Sequence, residues 1–223
     1  MSSEVETRPS TSLGTNGVGD AMRDRDLVRL YWPVELRAAF DALFALDDAL
    51  GEVVATSSQP ALGAIRLAWW RDALERLDTS PPPAEPRLQA CAADILSRGV
   101  SGSDLANISE GWAALFEEVR DPEAIGARGV ALFAVGAKLL GAEHGELGQA
   151  GAWFALADVA RRGLAPPMLV QIRPLLFPPA LRPLTGLARL AVRDLRHGEP
   201  FEPEGTPFRA GALLAHRWTG RIG

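Results

Sequence analysis

The chain has 223 residues, of which 47% are apolar and 23% charged, and a net charge of −5. This is enough for one domain with its own core, and it excludes a mostly disordered protein. Basic residues are interspersed with acidic ones, which argues against a nucleic-acid binder, and a single cysteine (Cys91) with three histidines excludes an internal disulfide and a Cys/His metal cluster.

Residues 1–22 are rich in Ser, Thr and Gly and have no hydrophobic period, so they read as a disordered tail ahead of one domain over 23–223. From Tyr31 onward Ala, Leu and Arg dominate and alternating β-branched runs are absent, which predicts an all-α, single-domain helical bundle. Pro33 opens a helix running to about Val54. Further helices are predicted near 61–78, 87–98 and 103–120, punctuated by Pro81-Pro82-Pro83. Asp121-Pro122 reads as an N-cap and first helical position, with Gly141 as the stop. Helices near 146–162 and 180–196 follow, the first ending before Pro166-Pro167, and Thr206-Pro207 repeats the start signature for a last helix. Gly129, Gly136 and Gly151 fall inside predicted helices. Each costs about 0.5–1 kcal/mol there relative to alanine, so close helix approach is the expected compensation. The stretch Leu147 to Val159 is very apolar but too short to span a bilayer, and predicts a buried core helix. With no leader pattern and no longer apolar run, the expected location is cytoplasmic.

Two helices carry charge on faces that should be buried. At 100° per residue, Leu36, Phe40, Leu43, Phe44, Leu50 and Val54 form one stripe with Asp47 in its middle, while Asp41, Asp48 and Glu52 project from a flank. On the next helix Leu62, Leu67, Trp70, Ala73, Leu74 and Leu77 group around Arg66. Arg71, Asp72, Glu75 and Arg76 take the other side with Trp69. An unpaired buried charge costs several kcal/mol, so an Asp47 to Arg66 contact is expected, either as a register lock between helices or as the lining of a polar cavity. Asp158 is the only acid in the apolar run 150–160. Arg161 or Arg162 can satisfy it locally at i+3 or i+4, or it can face the same cavity.

The stretches Tyr31-Trp32-Pro33, Ala42-Leu43-Phe44-Ala45-Leu46 and Ile65-Arg66-Leu67-Ala68-Trp69-Trp70-Arg71-Asp72 resemble the opening helices of the squalene/phytoene synthase family. The resemblance implies an isoprenoid-synthase-like helical bundle. In active members it also implies Mg²⁺-dependent head-to-head joining of two prenyl diphosphates, held through two aspartate-rich motifs. Here the motifs depart from the family pattern. Aligned on Ala42 to Leu46, the first two catalytic aspartates fall on Gly51 and Glu52 and the closing one on Ala55, with Asp47 and Asp48 a turn too early. The second motif, Asn-x-x-Arg-Asp, falls on Asp158 to Arg162 and places an arginine where an aspartate is needed. The pattern is similar to the family's non-catalytic branch, which includes an assembly factor for the respiratory NADH dehydrogenase. What it implies is a protein without a cofactor that binds a lipid-like ligand, or a protein partner at a membrane surface. The alternative is a Mg²⁺-dependent prenyltransferase using Asp47, Asp48, Glu52 and Asp158 in an unusual arrangement, with Asp47, Asp48 and Asp158 as the candidate metal ligands. The cavity candidates on this reading are Asp47, Asp48, Glu52, Arg66, Trp70, Arg71 and Asp158. Trp69, among charged residues, could mark a partner surface. Arg217, Trp218 and Arg221 read either as an ordinary solvated helix end or as a contact with a membrane or partner.

Overall fold

The computed structural model describes residues 22–223, and over that range the chain is all-α. The predicted tail, apart from Met22, lies outside the described residues. No helix among the described residues is long and apolar enough to cross a membrane.

A short helix not predicted from the sequence, α1 (Asp24–Arg29), precedes the extended turn at Pro33. After a 3-10 turn over Val34–Leu36 comes α2 (Arg37–Thr56), buried on most of its circumference. Trp32 stacks on Phe40 and Phe44, with ring centroids 4.9 and 5.5 Å apart, and so fixes the start of this central helix. Helix α3 (Pro60–Arg76) begins with proline at its first turn, where the missing N–H has no partner to lose. It buries only a narrow stripe of Gly63, Leu67, Trp70, Ala73 and Leu74. Gly63 makes this possible, since a Cβ there would stand 2.1 Å from the Phe116 ring.

The predicted helix over 87–98 resolves into α4 (Pro86–Ala90), a π-helical turn over Cys91–Ile95 and a 3-10 turn over Leu96–Arg98 that ends at Gly99 with φ 81°. The one predicted over 103–120 is α5 (Gly102–Ala106) and α6 (Ile108–Ala113), closing in a 3-10 turn at Phe116. It stops short of 120 because Phe116 turns in against Gly63 and Glu117 takes up extended backbone ahead of Asp121-Pro122. Helix α7 (Pro122–Leu140) starts and stops as expected: the Asp121 carboxylate accepts from the Glu123 N–H at 3.0 Å, and Gly141 takes φ 61°. It packs along α8 (Leu147–Arg161), the apolar segment, which is a buried core helix. Gly129 and Gly151 face each other at this crossing. A Cβ on Gly129 would lie 1.8 Å from the Gly151 carbonyl oxygen, so neither helix could approach as it does with any side chain there.

Helix α9 (Arg182–His197) covers α8, and α10 (Pro207–Thr219) lies on α9, its start capped by the Thr206 hydroxyl accepting from the Arg209 N–H. A two-residue antiparallel pair, β1 (Leu175–Leu176) with β2 (Arg221–Ile222), ties the chain end to the α8–α9 connection and was not predicted.

Candidate functional site

The charged residues of α2 and α8 meet in one alternating chain. Arg25 donates to both carboxylate oxygens of Asp48 at 2.5 and 3.1 Å. Arg162 then spans from Asp48 (2.8 Å) to Asp158 (2.9 Å), and Arg128 donates to Asp158 at 2.7 Å. Arg128 Nε in turn stands 3.6 Å from Asp47 Oδ1, which accepts from the Trp112 indole N–H at 3.0 Å. Three arginines thus face three aspartates, drawn from α1, α2, α7 and α8 and the residue that ends α8.

Depth sets the behaviour of each acid. Asp47 and Arg128 are wholly buried. Asp47 Oδ2 and two nitrogens of Arg128 have no hydrogen-bond partner among the described residues. Burial pushes the Asp47 carboxyl above the ordinary aspartate range, against the pull of Arg128. Burial acts in the same direction on Asp48 and Asp158, but the arginine bonds and charges outweigh it, and both are held below the ordinary range. The Arg128 guanidinium lies 4.1 Å from the Trp112 ring centroid, so its weakly hydrated face is covered by an aromatic surface. Gly51, one turn after Asp47, leaves the space this needs: a Cβ there would come 2.7 Å from Trp112 and 3.0 Å from Arg162.

Above this chain opens a cavity of about 500 Å³ between α1, α8, α9 and the segment leading to α10. Phe154, Ala157, Leu187, Leu190, Ala191 and Phe201 line it with apolar surface, and Arg25, Arg161, Arg162, Asp48 and Asp158 form one charged side. A second buried network lines the same cavity and shares Arg161 with that charged side. Arg209 donates to Asp24 (2.5 Å) and Asp194 (2.6 Å), while Arg161 stands 3.2 Å from Asp194 and donates to the Glu202 carbonyl at 2.9 Å. The combination of an apolar floor with arginines at one edge suits an amphiphile with an anionic head.

Of the candidates named from sequence, Asp47, Asp48 and Asp158 are brought together. The others are not. Arg66 is exposed and does not reach Asp47; Arg128 takes that place. On the helical wheel Arg66 falls between Trp70 and Ala73, which are buried, but it lies nearer the start of α3, where Leu62 and Ile65 are also exposed. Glu52 is exposed and faces Arg87 at 3.8 Å. Arg71 lies on the outer side of α3, paired with Glu75 and Glu110 at 3.1 Å each, and Trp70 packs in the core beside Trp69. Arg25, Arg128 and Trp112 were missed. Arg128 carried a signal of the same kind as Asp158, since it is the only charge between Glu123 and Lys138 in an otherwise apolar helix.

The donor set does not fit the Mg²⁺ that the family resemblance implies for an active member. Mg²⁺ requires several free hard oxygens in a near-octahedral shell, and here both oxygens of Asp48 and Oδ2 of Asp158 are engaged by guanidinium groups. A dication placed there would stand among the three positive charges of Arg25, Arg128 and Arg162, with too few unengaged carboxylate oxygens to offset them. Among the described residues no group of three or more His, Cys, Asp or Glu side chains is arranged around a common metal position. Comparison of the chain with protein-family models, curated proteins and solved structures returned no match.

Proposed function

We propose that this protein is a non-catalytic, squalene/phytoene-synthase-like binding protein that holds a lipid-like ligand in the cavity beside Arg25 and Arg162. One observation carries the reading: the three aspartates that could have served metal chemistry converge, but each stands against an arginine, and two of those arginines, Arg25 and Arg162, line the cavity. An anionic head would compete with Asp48 and Asp158 for Arg25 and Arg162, and its tail would run along Leu187, Leu190 and Phe154. In this reading the protein works in the cytoplasm, peripheral to a membrane where such ligands reside, and requires no cofactor.

A second role, as a partner-binding protein in assembly of a respiratory complex, is supported by a different feature. Leu62, Ile65 and Trp69 on α3 are each at least half exposed. They recur at i, i+3 and i+7 and form an apolar stripe that no element among the described residues covers.

The deciding experiment incubates the purified protein with Mg²⁺ and farnesyl or geranylgeranyl diphosphate, following diphosphate release, while calorimetry without Mg²⁺ follows binding of the same compounds and of oleate. Binding without turnover is expected. Product formation abolished by Asp47→Ala would overturn the reading and restore the alternative, a Mg²⁺-dependent head-to-head prenyltransferase. Absence of both binding and turnover would leave the partner role, tested by cross-linking with and without Trp69→Ser.

A further inference from the structure

Helix α10 is apolar on the side that faces away from the protein as well as on the side that packs. Its inner side buries Leu213 together with Arg209 and His216. Its outer side presents Phe208, Leu214 and Trp218, which are 77%, 52% and 78% exposed, with only Gly211 and Ala215 between them. At 100° per residue these five positions span roughly 120°, with no charge among them and Arg217 at the margin. Solvated helix faces are ordinarily polar, so a face of this kind marks a contact surface.

The edges of this face are basic. Arg182 donates to the carbonyls of Arg217 and Trp218, both at 3.0 Å, Arg217 lies over the Tyr31 ring at 4.6 Å, and Arg221 follows at the end of the helix. None of the three has a carboxylate partner among the described residues. The charge is regional as well: between 173 and 223 eight arginines stand against four carboxylates, whereas the rest of the chain carries 15 basic and 24 acidic residues.

The geometry points to an anionic lipid bilayer as the occupant. We propose that α10 lies on such a surface with Phe208, Leu214 and Trp218 entering the acyl boundary and Arg182, Arg217 and Arg221 meeting lipid phosphates. A second copy across a two-fold axis would bring the same arginines against one another. A rigid partner would need a groove for a convex row of isolated side chains. A bilayer supplies a deformable apolar layer beneath a negative surface, which suits aromatic rings and snorkelling arginines together. The inference rests on the peripheral placement proposed above and is independent of what the cavity holds.

The test is co-sedimentation of the protein with vesicles of phosphatidylcholine alone and of phosphatidylcholine with about one third phosphatidylglycerol. Binding is expected to the anionic vesicles only and to weaken as salt is raised. Replacing both Phe208 and Trp218 by serine should weaken it at least about tenfold, and Arg217→Gln about fivefold, with the thermal midpoint unchanged because these side chains are exposed. Arg162→Ala, a cavity variant, should bind vesicles normally, which separates this surface from the ligand site. Failure to sediment, sedimentation unaffected by the serine pair, or a dimer in light scattering that the serine pair abolishes would each overturn the proposal.

Discussion

Arg128 lies over Trp112, its guanidinium 4.1 Å from the ring centroid, and both side chains are wholly buried. The stack holds the arginine where it faces Asp47 on one side and Asp158 on the other. Truncating it would leave a buried carboxylate without a counter-charge, which costs more than the pair itself contributes. Arg128→Ala is therefore expected to lower stability by about 3–5 kcal/mol, read from urea unfolding. Combining Arg128→Met with Asp47→Leu should recover much of that loss, because no orphan charge remains between α2 and α7. Equal destabilisation by the single and double variants would contradict this account.

Arg162 is a different case, because it is partly exposed and its two acids keep other partners in Arg25 and Arg128. Its loss should cost the fold only about 1 kcal/mol. Binding of an anionic amphiphile, on the function proposed above, should weaken about tenfold or more, since a charged hydrogen bond contributes about 1.5–3 kcal/mol. Calorimetry on Arg162→Ala measures both the affinity and, by thermal scan, the stability.

His216 is buried between α9 and α10, with Nε2 3.0 Å from the Thr185 hydroxyl and Nδ1 3.0 Å from the Arg221 carbonyl. Burial, with the nearby Arg189 and Arg182 charges, pushes its pKa down to about 4 from 6.5. The unfolded chain then binds a proton that the folded chain does not between those values, so stability falls as pH drops from about 6.5 toward 4. The loss at pH 4.5 is on the order of 2–3 kcal/mol relative to pH 7. His216→Gln should flatten that part of the stability–pH profile; an unchanged slope would assign it to other groups.

The α7–α8 crossing depends on two glycines. A methyl group on Gly129 would overlap the Gly151 carbonyl, so Gly129→Ala should force the helices apart and destabilise by at least about 3 kcal/mol. Gly148→Ala, on the same helix as Gly151, places its Cβ 3.5 Å from Val130, an ordinary contact, and should stabilise by about 0.5–1 kcal/mol through helix propensity. Thermal midpoints of the two variants should move in opposite directions.

The positions of the helices were largely readable along the chain because their signals are local. Asp121-Pro122 and Thr206-Pro207 cap and open helices through atoms within three residues of each other, and Gly141 ends one by its own φ. Asp47 was legible as an inward charge for the same reason, since its place in an apolar stripe depends only on the helical period. Its partner was not. A stripe drawn at 100° per residue does not say how far along a helix the neighbours will cover it, and Arg66 is exposed although Trp70 and Ala73 on either side of its direction are buried. The contact of Gly129 with Gly151 sets how close α7 and α8 lie, and that closeness brings Arg128 to Asp158, while the packing of α2 on α7 brings it to Asp47. Which helices are neighbours, and therefore which charges pair and where the cavity opens, is a long-range packing outcome set by the whole core. The sequence alone determined that Asp47 must be buried and that Arg162 could reach Asp158 one turn away; only the tertiary structure decided that Arg25 of α1 and Arg128 of α7 would meet these acids, because pairing between helices depends on which of them pack together.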